Sequence, residues 1–277
     1  MSLCGESTRI PHPLRSPAAA NEGKVEYPMS ETLQCGSPRM NARLREWINT
    51  SSVLSMPRRS AWHMITWALA QRGMTAVPTT TSSYRAEDYL TIQRVARETD
   101  MRLLQDEAYQ LLSCARGTAK VLGEMAEVGV FRGGSARLMC EVSAGRQIYL
   151  FDTFEGLPAN EEAIPGFEQG QYAGSYEAVT QYLRSFHNVH IYKGEFPDGC
   201  TPITSERFSF VHLDVDLSEP TQAALEFFYP RLNSGGVFLI HDYFWSENIR
   251  KVVQEFFVRL PEPVLELAGA YCGVVKV

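Results

Sequence analysis

Acidic residues and a histidine follow two apolar stretches in the second half of this 277-residue chain. The first stretch ends in Asp214 and Asp216, and the second ends in His241 and Asp242. If the two stretches are neighbouring strands, roughly 4.8 Å apart, their ends meet at one edge of a sheet. Carboxylates and an imidazole are costly to bury together without a cation. The pattern therefore predicts a divalent metal site; the alternative is a hydrogen-bonded strand-end cluster without metal.

A glycine-containing turn follows an earlier strand that ends near Glu127. The chain passes through Gly129, Arg132 and Gly133 and then opens a helix at Ser135. Glycines let the backbone approach a ligand closely, and a helix start presents unpaired N–H groups. A carboxylate beside such donors suits a ligand with a cationic part and a carboxylate, such as S-adenosylmethionine. The spacing differs from the dinucleotide fingerprint, and a tight strand-to-helix turn without a ligand is the alternative.

A third group of candidates lies at the ends of the next two predicted strands. Asp152 follows an apolar strand about 25 residues after the glycine-containing strand, where an acid accepts hydrogen bonds from a ribose in doubly wound folds. The alternative role for Asp152 is to cap a turn or helix. Thr153 begins a long loop at the same sheet edge, and loops of that length are usually functional. Gly194 leaves the following strand and is expected beside the adenine.

Composition limits the classes of protein that fit. The net charge of -6 disfavours a nucleic-acid partner. No apolar run is long enough for a membrane span, and the N-terminus lacks the apolar core of a secretory signal. The six cysteines form no C-x-x-C pair, so a reducing cytoplasm is expected rather than a zinc cage or disulfide framework.

Three regions are predicted along the chain. Residues 1–39, rich in Ser, Pro, Gly and Ala, are expected to be a mobile leader. Residues 40–116 show helical periodicity, including one long helix from about Ala86 to Ala115, and are predicted to form a helical cap. Such a cap serves core packing, covers a pocket, or pairs with a second subunit as a homo-oligomer. Residues 117–277 alternate strands and helices and are predicted to form the ligand-binding domain.

Four motifs together resemble the macrocin O-methyltransferase family over about residues 85–277. The resemblance implies a doubly wound, Rossmann-like class I methyltransferase sheet that is mostly parallel, with an antiparallel closing strand. It also implies S-adenosylmethionine as methyl donor, often with Mg²⁺, and a sugar hydroxyl of a natural product as acceptor. The motifs are Glu127-Val-Gly-Val-Phe-Arg-Gly-Gly-Ser135, Phe151-Asp-Thr-Phe-Glu-Gly-Leu-Pro158, His212-Leu-Asp-Val-Asp-Leu217 and His241-Asp-Tyr243.

The resemblance implies metal ligands at Asp214 and at an Asp-Asp pair, but His241 replaces the first member of that pair before Asp242. Mg²⁺ prefers oxygen ligands, whereas an imidazole suits Mn²⁺, Fe²⁺ or Zn²⁺. Three outcomes stay open: a different metal, a weaker Mg²⁺ site, or a metal-independent enzyme with His241 as base. Asp214 is predicted to be a metal ligand and base.

The predicted function is S-adenosylmethionine-dependent O-methylation of a small, glycosylated acceptor in antibiotic biosynthesis. Glu127, Gly129, Gly133, Ser135 and Asp152 are expected to hold the donor. The alternatives are an enzyme of different chemistry on the same fold and a non-catalytic binding module.

Overall fold

The apolar stretches of the sequence form the strands of one sheet in the computed structural model, which describes residues 86–159 and 168–277. These residues belong to one unit that spans residues 76–277. The predicted leader, and the part of the predicted helical cap before residue 86, lie outside the described residues. Residues 160–167 of the long loop also lie outside them.

The sheet is mostly parallel and has the strand order β3-β2-β1-β4-β5-β7-β6. Strands β1 to β5 run parallel, and β7 pairs antiparallel with both β5 and β6. The predicted parallel sheet with an antiparallel closing strand is therefore confirmed. The strands are β1 (Glu124–Val128), β2 (Ile148–Asp152), β3 (Val189–Lys193), β4 (Phe208–Leu213), β5 (Leu232–Ile240), β6 (Leu265–Glu266) and β7 (Cys272–Val275).

Helices cover both faces of the sheet, as parallel strands require. Helices α1 to α4 pack on one face, and α5 and α6 pack on the other. They are α1 (Ala86–Glu98), α2 (Gln105–Gly117), α3 (Gly134–Val142), α4 (Tyr176–Leu183), α5 (Ser218–Phe228) and α6 (Glu247–Phe257). Among the described helices, none has the length and apolarity needed to cross a bilayer.

The single helix predicted from Ala86 to Ala115 is in fact two helices, α1 and α2. The backbone of Leu104 is extended, and its N–H donates to the Glu107 carboxylate at 2.8 Å, which starts α2. The hydroxyl of Thr99 donates to the carbonyl of Arg132 at 2.9 Å. The helical periodicity of the sequence continues across residues 99–104, so the periodicity did not indicate the break between the two helices. As a consequence, residues 100–103 reach the cavity described below.

Candidate active site

A cavity of about 550 Å³ opens where the parallel strands end, at the edge where ligands bind in α/β sheets. Segments that follow β1 to β5, together with the segment between α1 and α2, form its wall. Glu127, Arg132 and Gly133 were predicted to belong to the site but are not part of this wall. The predicted residues that line it are Gly129, Ser135, Asp152, Thr153, Gly194, Asp214, His241 and Asp242.

Gly129 allows the end of β1 to pack against the end of β4. Its φ is +90°, and a Cβ atom here would lie 1.7 Å from the carbonyl oxygen of Asp214. The Asp214 N–H donates to the Val128 carbonyl at 2.9 Å, and the Gly129 N–H donates to the Phe151 carbonyl at 2.9 Å. Only glycine fits this contact without displacing backbone. The turn therefore also fixes the backbone that carries Asp214.

Asp152 ties the glycine-containing turn to the end of β2. Its Oδ2 accepts the N–H groups of Val130 at 2.6 Å and Phe131 at 2.7 Å, and its Oδ1 accepts the N–H of Phe154 at 2.6 Å. This is the turn-capping role that the sequence left open as the alternative. Because Asp152 also lines the cavity, its predicted contact with a ribose stays a prediction.

Glu127 lies behind the cavity wall in a buried network. Its Oε1 is 2.8 Å from Nδ1 of His212, whose Nε2 is 2.8 Å from the hydroxyl of Tyr271. Burial raises the pKa of Glu127, and Oε2 has no hydrogen-bond partner among the described residues. In the structure the partner of Glu127 is therefore His212, and its contact with a methyl donor stays a prediction.

Arg132 and Gly133 also lie away from this cavity. The guanidinium of Arg132 is 3.3 Å from the carboxylate of Asp100 and lies over the ring of Phe131, 5.1 Å from its centroid. Arg132 lines a second cavity of about 420 Å³ instead. Gly133 precedes α3 as its N-cap residue. Their predicted contacts with the methyl donor stay predictions.

The structure brings together the three predicted metal ligands at the ends of β4 and β5. Nδ1 of His241 is 3.1 Å from Oδ1 of Asp214 and 2.8 Å from Oδ1 of Asp242. One potential ligand atom from each residue lies within 4.8 Å of the others. His241 Nε2 and Asp242 Oδ2 are buried without a hydrogen-bond partner among the described residues. The cluster thus contains side-chain atoms that already contact one another and others that have no hydrogen-bond partner among the described residues.

The ionisable groups in this cluster shift one another's pKa values. Burial alone would lower the pKa of His241, but Asp214, Asp242 and Glu107 together raise it well above its ordinary value. Burial alone would raise the pKa of Asp214, but the adjacent imidazole lowers it overall. Burial raises the pKa of Asp242. The carboxylates around the imidazole of His241 therefore favour its protonated form, in which opposite charges offset part of each other's desolvation.

Asp216 is a further cavity carboxyl group, to which the sequence interpretation gave no role. Burial raises its pKa to about 8, and the charges of Asp242 and Asp214 add to the shift. Its φ of +59° lies in the left-handed region, as do those of Phe131, Tyr172 and Asp242, which also line the cavity. Strained backbone of this kind concentrates at functional sites.

Glu107 on α2 is a buried carboxylate that no sequence motif indicated. It accepts the N–H groups of Leu104 at 2.8 Å and Ala270 at 3.0 Å, and its Oε2 is 3.6 Å from Nε2 of His241. A Cβ atom at Gly269 would lie 2.7 Å from the Glu107 side chain, so glycine there makes room for it. Its only sequence signal was its place three residues after the N-cap of a helix. Glu107 thus lies near Nε2 of the His241 imidazole, whereas Asp214 lies near Nδ1 on the other side of the ring.

Comparison with known proteins identifies the family. The model of the macrocin O-methyltransferases (TylF) matches residues 110–267, more than half of the chain. The chain belongs to the macrocin O-methyltransferase family. The predicted resemblance is thus confirmed, and each of its four motifs contributes residues to the cavity wall.

Two curated relatives are O-methyltransferases by name. One is the 8-demethyl-8-(2,3-dimethoxy-alpha-L-rhamnosyl)-tetracenomycin-C 4'-O-methyltransferase of Streptomyces olivaceus, 30% identical over 168 residues, covering 54% of this chain and 64% of the relative. Another is demethyldecarbamoylnovobiocin O-methyltransferase of Streptomyces niveus, 26% identical over 153 residues, covering 49% and 58%. The chain therefore spans less than two thirds of the length of either relative.

Solved structures share the architecture of this chain. The O-methyltransferase NovP matches with a TM-score of 0.54 at 22% identity, covering 61% of this chain and 78% of that one. The calicheamicin methyltransferase CalS11 matches with a TM-score of 0.52 at 20% identity, covering 72% and 99%. At these identities the likeness shows the fold, which is that of class I methyltransferases.

Proposed function

We propose that the protein is an S-adenosylmethionine-dependent O-methyltransferase that methylates a sugar hydroxyl of a glycosylated small molecule. One observation carries the proposal: the turn held by Asp152 and the cluster of Asp214, His241 and Asp242 line the same cavity. Membership of the macrocin O-methyltransferase family supports the reaction. The relative that methylates a rhamnosyl tetracenomycin supports the acceptor class.

The donor is proposed to bind along the ends of β1, β2 and β3. Its methionine part lies at the N–H groups that open α3, where Ser135 lines the cavity. Its ribose lies beside Asp152 and Thr153. Because Oδ1 of Asp152 accepts a hydrogen bond from Phe154 and a carboxylate oxygen has two lone pairs, it keeps capacity for a ribose hydroxyl. The adenine lies near Gly194.

The acceptor hydroxyl is proposed to enter beside the ends of β4 and β5. The methyl group passes to the acceptor oxygen as the carbon–sulfur bond breaks and the oxygen–carbon bond forms, which leaves S-adenosylhomocysteine. The hydroxyl proton passes to a carboxylate. Asp214 was predicted as this base, but its Oδ1 is 3.1 Å from the imidazole of His241. Asp216, two residues later, also lines the cavity, and its ionised form is proposed to accept the proton; its pKa, raised to about 8, makes that form the minor one at neutral pH.

The residues present fit a divalent metal ion. Asp214, His241 and Asp242 offer one donor atom each within 4.8 Å, and Asp242 Oδ2 is buried without a partner among the described residues. Two carboxylates with an imidazole suit Mn²⁺, Fe²⁺ or Zn²⁺ better than Mg²⁺. A bound ion would supply Lewis-acid polarisation of the acceptor hydroxyl. His241 would have to release its proton to become a ligand.

A second candidate is a metal-independent methyltransferase. The observation that favours it is the position of Nδ1 of His241, which already contacts the carboxylates of both Asp214 and Asp242. In that case the imidazolium supplies the positive charge between the carboxylates, and the proton of the acceptor again goes to Asp216. His241 is then proposed to act as a fixed cation rather than a base, because its acidic neighbours raise its pKa.

Calorimetry and a transfer assay test these proposals. S-adenosylhomocysteine should bind the protein, and tritium should pass from methyl-labelled S-adenosylmethionine to an aryl α-L-rhamnoside. Absence of binding by S-adenosylhomocysteine would refute the donor site and favour a different chemistry or a non-catalytic module. Turnover after dialysis against a chelator, with and without added Mn²⁺ or Mg²⁺, separates the two candidates.

A further inference from the structure

We propose that Tyr271 is a positioning residue: its ring holds the plane of the His241 imidazole, and a buried hydrogen-bonded chain from Glu127 through His212 holds Tyr271 in turn. Glu127 then serves the cluster at the ends of β4 and β5 rather than the methyl donor. The expected effect on turnover rests on the proposed function. The placement of the His241 ring is tested without any reaction.

The register of the sheet brings these four side chains to one face. Glu127 on β1 pairs with His212 on β4, and residues paired in register direct their side chains to the same face of a sheet. Strand β7 pairs antiparallel with β5, and that register, continued by one residue, places Tyr271 opposite His241. The four side chains therefore meet on the face that α1 to α4 cover, where Tyr271 belongs to the core.

A chain of hydrogen bonds joins three of these side chains. Nδ1 of His212 is 2.8 Å from Oε1 of Glu127, and its Nε2 is 2.8 Å from the hydroxyl of Tyr271. When Nδ1 donates its hydrogen to the carboxyl oxygen, Nε2 of the neutral imidazole accepts, and the Tyr271 hydroxyl donates to it. All three side chains are fully buried, and none is on the described part of the cavity wall. Their effect on the reaction must therefore pass through the residues that they hold.

The ring of Tyr271 meets His241 edge to face. The two ring centroids are 4.9 Å apart, and the ring planes are 77° from parallel. The backbone beside Tyr271 is tied down as well: its carbonyl accepts the N–H of Leu267 at 3.1 Å, and the carbonyl of Ala270 accepts the N–H of Tyr243 at 2.9 Å. Because a protein interior is close-packed, an imidazole that rotates in place must displace this ring.

The orientation of the His241 ring decides which groups its two nitrogens meet. Nδ1 lies 3.1 Å from Asp214 and 2.8 Å from Asp242, whereas Nε2 lies 3.6 Å from Glu107. A rotated ring would lose these contacts. Both candidate mechanisms need them, because a metal ligand must present one nitrogen in a fixed direction and a fixed cation must stay between the carboxylates. Tyr271 therefore matters to turnover without touching a substrate.

The test begins with the position of the His241 ring in the full chain, labelled with ¹³C and ¹⁵N at histidine. The imidazole C–H signals are recorded by NMR at one fixed pH, and His241→Asn assigns the signals of that ring. Tyr271→Phe keeps the aromatic ring but removes the hydroxyl. His212→Asn has a shorter side chain that reaches Glu127 but not Tyr271. Both variants break the same link, so both should shift the His241 signals, because the shielding by the neighbouring ring changes.

Turnover of an aryl α-L-rhamnoside should fall about tenfold in each of these two variants. A displacement of about 1 Å at a reacting group costs on the order of a hundredfold, and the retained ring of Tyr271→Phe limits the movement to less than that. The affinity for S-adenosylhomocysteine should stay within about threefold of wild type, which also reports that the variants fold. The double variant Tyr271→Phe/His212→Asn should lose about tenfold as well, rather than the roughly hundredfold that independent losses would give.

Tyr229→Phe is the matched control. The Tyr229 hydroxyl donates to Oε2 of Glu262 at 2.8 Å, the same length as the bond lost in Tyr271→Phe, and Tyr229 is not on the described cavity wall. It should leave the His241 signals and the turnover as in wild type.

Glu127→Gln separates this role from a contact with the donor. Oε2 of Glu127 has no hydrogen-bond partner among the described residues, so it is the atom that a donor ammonium group would meet. The amide keeps an oxygen that accepts from Nδ1 of His212 but loses the negative charge. The affinity for S-adenosylhomocysteine should stay within about threefold; a loss of tenfold or more would place Glu127 in the donor site and overturn the inference.

Three further results overturn it: unchanged His241 signals in Tyr271→Phe and His212→Asn, additive losses of turnover in the double variant, or an equal loss of turnover in Tyr229→Phe. If one of the two single variants does not fold, the other carries the test, because both break the same link. The proposed function fails separately. If the wild type neither binds S-adenosylhomocysteine nor transfers a methyl group, that function is refuted, and the His241 signals alone decide whether Tyr271 holds the imidazole.

Discussion

The contact between Gly129 and the backbone of Asp214 gives a prediction that separates two physical effects. Gly129→Ala introduces a Cβ atom 1.7 Å from the Asp214 carbonyl oxygen and forces a left-handed backbone on an L-residue. Gly145, between α3 and β2, provides the control. Its φ is +85°, close to the +90° of Gly129, but a Cβ atom there would meet nothing within 4 Å. Gly145→Ala therefore carries the strain without the clash.

The magnitudes follow from these contacts. A left-handed L-residue costs about 1–2 kcal/mol at either position. At Gly129 the carbonyl of Asp214 must also retreat by more than 1 Å to reach ordinary contact. That movement disrupts the hydrogen bonds from Asp214 to Val128 and from Gly129 to Phe151, each worth about 1 kcal/mol. We expect Gly129→Ala to lose about 3–4 kcal/mol of unfolding free energy, against about 1–2 kcal/mol for Gly145→Ala.

Activity should separate the two variants further. A displacement of about 1 Å at a reacting group can cost on the order of a hundredfold in rate. Turnover of Gly129→Ala should fall by about that factor, whereas Gly145→Ala should keep the wild-type rate. Urea unfolding gives the stabilities, and transfer of tritiated methyl gives turnover. Equal stability losses in the two variants, or turnover of Gly129→Ala within twofold of wild type, would refute the claim that this glycine positions Asp214.

Further predictions concern single side chains of the site. Asp216→Asn should lower turnover at least a hundredfold with little change in the dissociation constant of S-adenosylhomocysteine; retention of most turnover would assign the base elsewhere. Asp214→Ala should abolish turnover while donor binding, followed by calorimetry, stays within about threefold of wild type. Asp152→Ala should weaken donor binding at least tenfold, because the N–H groups that shape the turn lose their acceptor; unchanged donor affinity would contradict this. Glu107→Gln keeps one acceptor oxygen but loses the charge 3.6 Å from His241, so the imidazole should lose its proton at lower pH than in wild type, as read by NMR of that ring; an unchanged titration would refute the support role.

The positions of the acidic residues at the strand ends could be predicted because the sequence signals for them are local. Apolar runs that end in acids place Asp152, Asp214 and Asp242 at the edge of a parallel sheet, whatever the details of packing. Because β4 and β5 are neighbouring strands, Asp214 and Asp242 then lie beside His241, as the structure shows. Periodicity and strand order were therefore enough to locate this part of the cavity.

Other features depend on contacts between distant segments and have no local signal. Glu107 reaches His241 only because α2 packs against the closing hairpin, where Gly269 makes room. The break between α1 and α2 brings Arg102 to the cavity, although helical periodicity runs through it. Glu127 ended a strand as predicted, yet the alternation of side chains along β1 directs it to His212 behind the wall.

The most direct test of the central claim uses S-adenosylmethionine that carries a trideuterated methyl group. The protein is incubated with this donor and p-nitrophenyl α-L-rhamnoside, and the acceptor is analysed by mass spectrometry with fragmentation. We predict one labelled methyl group on a sugar oxygen with the wild-type protein and none with Asp214→Ala. An acceptor that stays unlabelled with the wild type, or that is labelled equally by Asp214→Ala, would contradict the account.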